Sequence, residues 1–384
     1  MTDVLETPAT SKVAARRSVV LLGLGTAAPP AIAQGDAARI ARQFSCSTDG
    51  QRAWLERVFS RAGVQTRGTV LLGSGSMADV ERFYAPPKDA DDHGPTTGMR
   101  MQRYALEAPP LAERAARAAL ADGAIEPGEI THLITVSCTG FFAPGLDVAL
   151  IGRLGLSPAV RRQQLGFMGC HAGFNALGAA RDIVLAHPEA RVLVCCVELS
   201  TLHFTYGWDP EKLVANALFA DGAGACVLGA DDGGAAGRWQ LVQTASLLLP
   251  DSAGAMTWRI GDHGYEMTLS AELPALIKRH LRGWCQAWLG EEDLTPADII
   301  HWAIHPGGPK ILAAAAEALG LPESANAASY AVLSRQGNMS SATVLFLLQE
   351  IAARQASCAP TPGYCVAIGF GPGLMAEGML LECH

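Results

Sequence analysis

The chain has 384 residues, 49% hydrophobic and 17% charged, with a formal net charge of −8. That composition excludes a disordered chain, and the acidic balance argues against a general nucleic-acid binder. Its ten cysteines stand singly apart from Cys195–Cys196, with no Cys-x-x-Cys and no Cys/His ligand spacing; neither a disulfide framework nor a zinc site is expected, and a reducing, cytoplasmic setting fits.

No apolar run reaches membrane-spanning length. Residues 1–17 are polar and read as a loose leading segment. Arg16-Arg17 before an apolar run, with Ala31-Ile32-Ala33-Gln34 behind it, mimics a twin-arginine signal peptide. The better reading is a first core strand, Val19–Leu24, because Pro29-Pro30 interrupts the run. Asp36–Phe44 and Gln51–Arg61 have apolar faces and predict helices. Pro86–Thr97 predicts a surface loop, and Leu111–Ala121 a helix stopped by Asp122-Gly123. Thr131–Val136 predicts a buried strand opening into Ser137-Cys138-Thr139-Gly140. Val192–Val197 predicts a strand ended by Glu198, and Ala225–Leu228 another.

From Trp239 the pattern restarts. It predicts a strand Trp239–Leu248, a helix Ala271–Leu289, a strand Ile300–Ile304, a helix to about Leu319 and an apolar helix Ser341–Arg354 opened by Ser334–Asn338. Strands Tyr364–Ile368 and Leu374–Leu381 close the chain around Gly369–Gly373. Residues 18–238 and 239–384 thus echo each other. An α/β unit duplicated in this way suggests two packed sheets sharing a central helical layer.

Gly169-Cys170 precedes the Ala-rich run Ala172–Ile183, a turn that sets a cysteine at a helix start. The partial positive charge there favours thiolate. Locally, a packed cysteine and a nucleophile are equally good readings. His305, after a strand, and Asn338, before a helix, both stand in Gly-rich turns of the other half. A cysteine with a distant histidine and asparagine fits nucleophilic catalysis on an acyl thioester. His305 as imidazolium would stabilise the Cys170 thiolate. His305 Nε2–H and the Asn338 amide would then donate to an oxygen gaining negative charge, without protonating it. His171, next to Cys170 on the helix, should face away.

Five motifs in order resemble type III polyketide synthases, the chalcone synthase-like enzymes of the thiolase superfamily. They are Gly166-Phe-Met-Gly-Cys-His-Ala-Gly, Leu218-Phe-Ala-Asp-Gly-Ala, His305-Pro-Gly-Gly-Pro-Lys-Ile-Leu, Gly337-Asn-Met-Ser-Ser-Ala and Gly369-Phe-Gly-Pro-Gly-Leu. Gly23-Leu-Gly-Thr-Ala-Ala-Pro-Pro resembles the family's first strand and turn. The resemblance implies a thiolase-like αβαβα five-layer fold from two duplicated halves, a homodimer, and acyl-CoA and malonyl-CoA as substrates. It implies no metal or redox cofactor, since decarboxylation drives the reaction. It maps a Cys-His-Asn triad onto Cys170, His305 and Asn338.

The same resemblance places Phe219 and Met267 at a gate, Met267 replacing an aromatic residue. It places Cys138, Thr139, Ala143, Ser200, His203, Met256, Trp258 and Ser340 around the cavity. It places CoA contacts at Arg61, Arg67, Gly307, Gly308 and Lys310, and a cyclisation loop at Gly369, Phe370, Gly371, Pro372 and Gly373. Trp258 stands where plant members have glycine, which should cut down the floor that accepts an aromatic starter. Small residues at Ala143 and Cys138 should open space elsewhere. That combination, with the block Thr97-Gly-Met-Arg-Met-Gln-Arg-Tyr, resembles bacterial members that take medium- to long-chain fatty acyl starters and make alkylpyrones or alkylresorcinols. The alternative is a malonyl or aromatic starter.

Other assignments fit less well. A 3-oxoacyl-ACP synthase III has His-Gln-Ala-Asn where this chain has His305-Pro-Gly-Gly-Pro. A thiolase needs a second cysteine near Gly369–Gly373, where this chain has none, and a 3-hydroxy-3-methylglutaryl-CoA synthase needs a catalytic glutamate, whereas Glu198 ends a buried strand. A silent acyl-CoA-binding protein would not need the triad.

Overall fold

The structure is a computed structural model that describes residues 18–73, 75–89, 91–231, 239–356 and 362–383. The loose leading segment and Arg16-Arg17 lie outside the described residues. The first half runs β1 (Val19–Ala27), β2 (Ala31–Ala33), α1 (Gln34–Ser45), α2 (Asp49–Arg61), β3 (Thr66–Gly68), α3 (Met77–Phe83), α4 (Thr97–Asp122), β4 (His132–Ser137), α5 (Leu146–Leu154), β5 (Arg161–Gly166), α6 (Ala172–Ala186), β6 (Val192–Leu199), α7 (Pro210–Leu218) and β7 (Asp221–Ala230). The second runs β8 (Trp239–Leu248), β9 (Met256–Gly261), β10 (Gly264–Leu269), α8 (Leu273–Gly290), β11 (Ile299–Ile304), α9 (Pro309–Leu319), α10 (Ala327–Gln336), α11 (Thr343–Ala356), β12 (Gly363–Gly371) and β13 (Met375–Cys383).

The expected two sheets are one nine-stranded sheet, ordered β11-β12-β13-β8-β1-β7-β6-β4-β5. A short antiparallel seam joins the halves, Val20 facing Gln240 and Leu21 facing Trp239. Either side of the seam the topology repeats. β4 runs parallel to β6, then β6–β7 and β7–β1 are antiparallel. In the second half β11 runs parallel to β12, then β12–β13 and β13–β8 are antiparallel. α6 packs on β4, β6 and β7 and also on β13. Its counterpart α11 packs on β11 and also on β1 and β7. These two helices form the central layer, bound by a shared core that includes Phe174, Leu177, Val344 and Leu347. α4 covers the first half-sheet, and α8 with α9 the outer side of the second. The result is the expected thiolase-like five-layer arrangement.

Gly23 and Gly25 explain how α4 lies so close. A Cβ on Gly23 would sit 2.2 Å from the Ala119 carbonyl oxygen, and one on Gly25 would sit 2.3 Å from the Ala119 nitrogen. The facing residues Ala112, Ala115, Ala116 and Ala119 are fully buried, so small side chains on both surfaces let helix and strand approach. Pro109 and Pro110 lie inside α4, which begins at Thr97. The expected helix boundary at Leu111 is therefore corrected. Both prolines follow a turn whose carbonyls they leave unbonded, yet packing on β1 holds the helix through them. The Ser334–Asn338 segment is corrected too. It ends α10 instead of opening α11.

Candidate active site

Three turns meet at one cavity of about 710 Å3, which Cys170, His305 and Asn338 all line. The first turn precedes α6. Gly169 has φ +92, and a Cβ there would come within 2.1 Å of Pro372 Cδ; only glycine fits both the conformation and the contact. The N-terminus of α6 has no side-chain cap; the Ala172 amide donates back to the Gly169 carbonyl (3.0 Å) and closes the turn around Cys170. His171 hydrogen-bonds Asn175 through Nδ1 (2.8 Å) and lies against Gly371, where a Cβ would meet its ring at 2.2 Å. The loop Gly369–Gly373 is thereby seated on the cysteine turn.

The second turn follows β11. The His305 amide donates to the Ile368 carbonyl (2.8 Å), which fixes the backbone while both ring nitrogens stay buried and without a partner. The third turn follows α10. Gly337 has φ +76, and Asn338 then pairs with the other half: its amide donates to Leu218, and the Ala220 amide donates to its carbonyl, both at 2.9 Å. Asn338 Oδ1 accepts from the Ser340 amide (2.9 Å), leaving the amide N–H groups as the free end of the side chain.

Burial pushes the Cys170 thiol up to about 12 and the His305 imidazole down to about 3, with nearby His171 adding to the fall. Neither group is comfortable carrying a charge alone. A proton passed from sulfur to imidazole would make two charges that compensate each other. The Asn338 side chain is close enough to act on the ionisation of both, although it forms no hydrogen bond to either His305 nitrogen.

Phe219 and Met267 both line the main cavity and also a second, inner one of about 20 Å3. They form the partition between the two, where the gate was expected. Met256 lines the main cavity, and Ser200, His203 and Trp258 line the inner one. Trp258 Nε1–H donates to the Cys138 carbonyl (2.7 Å), and its ring meets His203 and Tyr265 edge-on. The floor is filled, as the tryptophan predicted. The compensating space is not found. Cys138 Sγ packs on the Gly169 backbone, Thr139 hydrogen-bonds Glu198 (2.8 Å), and Ala143 is exposed. None of the three lines either cavity. Ser340 is buried beside Cys170 and lowers its pKa by hydrogen bonding, without lining the cavity.

At the mouth stand Arg61 and Lys310, both exposed, with Gly307 and Gly308 on the same wall. Arg67 is a correction. It is fully buried, and its guanidinium holds Gln34 Oε1 and the carbonyls of Asn216, Ala217 (2.8 Å) and Phe219 (2.9 Å). Burial lowers its pKa to about 9. It anchors the end of α7 and has no donor for a phosphate. Of the Gly369–Gly373 loop, only Phe370 lines the cavity.

Sequence reasoning found Arg61 but missed most of the wall around it. Trp54, Arg57, Val58, Arg61 and Ala62 line the cavity from α2 and its C-terminal cap. Their i, i+3, i+4, i+7, i+8 spacing is one helical stripe, the signal that could have found it. Leu269, Leu273 and Ile311 complete the wall. Glu198 is fully buried in β6 and accepts from Cys138, Thr139 and Ser341. It does not line the cavity. Among the described residues no group of three or more His, Cys, Asp or Glu could hold a metal ion, and no helix is long and apolar enough to cross a membrane.

The chain resembles known proteins over most of its length. The family model for the N-terminal domain of chalcone and stilbene synthases matches residues 7–232, and that for their C-terminal domain matches residues 240–384. The chain is 36% identical, over 94% of its length and 91% of the relative's, to the alpha-pyrone synthesis polyketide synthase-like Pks18 of Mycobacterium tuberculosis. It is 35% identical, over 95% of its length and 93% of the relative's, to a 1,3,6,8-tetrahydroxynaphthalene synthase of Streptomyces peucetius. Among solved structures, PKS-I from the brown alga Ectocarpus siliculosus superposes with a TM-score of 0.87 at 30% identity, covering 97% of this chain and all of that one.

Proposed function

We propose a reaction cycle for this chain, which belongs to the chalcone and stilbene synthase family, the type III polyketide synthases. Members are acyltransferases that extend an acyl-CoA by decarboxylative Claisen condensation with malonyl-CoA. In the proposed cycle Cys170 gives its proton to the free nitrogen of His305 and attacks the starter thioester. CoA leaves as its thiol, taking the proton back from His305, and the acyl group stays on sulfur. Malonyl-CoA then binds and loses CO2. The His305 N–H and the Asn338 amide hold the enolate oxygen, in a site where buried donors are worth more than in water. The carbanion attacks the Cys170 thioester, and the extended chain returns to CoA, reloads and finally cyclises. No metal or redox cofactor enters the cycle. Arg57, Arg61 and Lys310 at the cavity mouth suit the CoA phosphates. The active unit is proposed to be a cytoplasmic homodimer.

The observation that carries this reading is the cavity of about 710 Å3 on which Cys170, His305 and Asn338 converge from turns in both halves. Its aliphatic wall supports a medium- to long-chain fatty acyl starter, leading to an alkylpyrone or alkylresorcinol. The inner cavity of about 20 Å3 is too small for an aromatic ring, which counts against a coumaroyl-type starter. That same small volume favours a second reading, malonyl-CoA as its own starter.

Incubation with a panel of acyl-CoAs and malonyl-CoA, read by mass spectrometry, tests the choice. The fatty acyl reading expects the highest turnover with a fatty acyl-CoA. Preference for malonyl-CoA or coumaroyl-CoA over every fatty acyl-CoA overturns it.

A further inference from the structure

His171 follows the nucleophile and takes no part in the cycle, yet it is buried. Its imidazole lies over the end of β12. A Cβ on Gly371 would meet its Cδ2 at 2.2 Å and its Nε2 at 2.8 Å. One turn along α6, Phe174 repeats the contact: a Cβ on Gly369 would meet its Cε2 at 2.5 Å. Positions i and i+3 of a helix share a face, as do i and i+2 of a strand. Two rings of α6 are thus set onto two glycines of β12. Gly371 has φ −152, extended backbone open to any residue, so the ring alone excludes a side chain there. His171 Nδ1 donates to Asn175 Oδ1 (2.8 Å), which fixes the rotation of the ring.

The strand is held on one side only at this point. The β11–β12 ladder ends at Ile304 opposite Ile368, whereas the β12–β13 ladder runs on to Gly371 opposite Met375. Ladder hydrogen bonds lie in the plane of the sheet and fix register. The height of Gly369–Gly371 out of that plane is set by what packs on its two faces. His171 and Phe174 occupy one face. The side chain between the two glycines belongs to the other face. It is Phe370, buried, and it lines the cavity shared by Cys170, His305 and Asn338.

We infer that His171 is a positioning residue that sets the depth of Phe370 in the cavity wall, and so the bulk of the acyl group that Cys170 accepts. Its ring is a spacer between α6 and β12. Without the ring, the end of β12 settles towards α6. Phe370 then withdraws, and the space beside Cys170 widens. A side chain added at Gly371 does the reverse: it pushes the strand off the ring and drives Phe370 inward. Neither His171 nor Gly371 lines the cavity, yet substitutions at the two change acyl preference with opposite sign. The inference rests on the reading of Cys170 as the acyl carrier.

The test uses the full chain as His171→Ala, Gly371→Ala and the double variant, with His171→Phe as the variant that keeps a ring. Acyl-Cys170 formation from acyl-CoAs of graded length and branching is read by intact mass, and folding by thermal melt. In His171→Ala the ratio of bulky to small acyl groups loaded should rise about tenfold, the scale of one methylene in an apolar pocket. In Gly371→Ala the ratio should fall by a similar factor. The double variant should return towards wild type, because the two changes act on one contact, and His171→Phe should stay near wild type. A merely structural loss would lower the melting temperature and every loading rate together and leave the ratio alone. An unchanged ratio in folded His171→Ala, shifts of the same sign in the two single variants, or a double variant no closer to wild type than Gly371→Ala overturns the inference. If His171→Ala does not fold, the sign of the shift in Gly371→Ala decides. If Gly371→Ala folds only together with His171→Ala, that rescue supports the spacer. Failure of the wild-type protein to form an acyl-enzyme with any acyl-CoA would instead sink the synthase cycle itself.

Discussion

The turn before α6 and the turn before α11 hold equivalent places in the two halves, yet one presents a thiol and the other an amide. Each starts with a glycine at positive φ, Gly169 at +92 and Gly337 at +76. Each sits where the central layer meets the cavity. The surroundings differ. The Cys170 turn is held by close packing of the opposite half's C-terminal loop, Pro372 against Gly169 and Gly371 against His171. The Asn338 turn is held by backbone hydrogen bonds to Leu218 and Ala220 in the opposite half. Duplication therefore supplies two glycine turns facing one space, and the side chain each carries decides whether it acts as nucleophile or as donor. A single copy of the unit would provide only one of these roles.

The largest effect that sharpens this contrast concerns the pair Cys170–His305. Alone, the Cys170 thiol is pushed up to about 12 by burial; its reactivity at neutral pH depends on the proton going to His305. His305→Ala should slow iodoacetamide labelling of Cys170 at pH 7 on the order of 100-fold or more, with a rate still climbing above pH 9. A variant that labels with the wild-type profile would show that the helix start suffices by itself.

The two glycines come next. Alanine at position 169 meets Pro372 at 2.1 Å, whereas at position 337 the nearest atom is Ala220 Cβ at 2.8 Å. Adding overpacking to backbone strain, Gly169→Ala should cost about 4 kcal/mol and Gly337→Ala about 2 kcal/mol. Chemical denaturation measures both. The reverse order would mean that the Asn338 turn, and not the cysteine turn, is the more tightly held.

Glu198 ties the turns together, accepting from Cys138 and Thr139 on one side and from Ser341 on the other. Burial raises its carboxyl from 4.5 to about 7. Between those values the folded state holds a proton that the unfolded state has lost. Its contribution is complete below pH 4.5 and is lost as pH rises through 7, roughly 3 kcal/mol over the window. Denaturation of wild type and Glu198→Gln at pH 4.5 and 8 should show that slope in the wild type alone. Parallel pH dependences would mean the carboxyl is ionised throughout.

Much of this was legible in the residues. The strand Trp239–Leu248 matches β8 end to end, and the three polar turns were visible because glycines punctuate apolar runs. What escaped has physical causes. Pro109-Pro110 masks the first half of α4, since prolines stop most helices and only tertiary packing shows that this one continues. The β9–β10 hairpin lacks a clean apolar alternation because one side covers the inner cavity. Arg67 looked like its neighbour Arg61. In β3 it turns inward opposite Ile32, and three residues do not reveal which way a strand faces.

The division of labour between the two turns can be read in one variant. Asn338→Ala leaves Cys170 in place and removes only the donor. Acyl-enzyme formation from a starter CoA and CO2 release from labelled malonyl-CoA are then measured on the same preparation, with Cys170→Ala as the blank for loading. Decarboxylation should fall by roughly 100- to 1000-fold and loading by much less. Equal losses in the two half-reactions would contradict the assignment of one turn to the nucleophile and the other to the enolate.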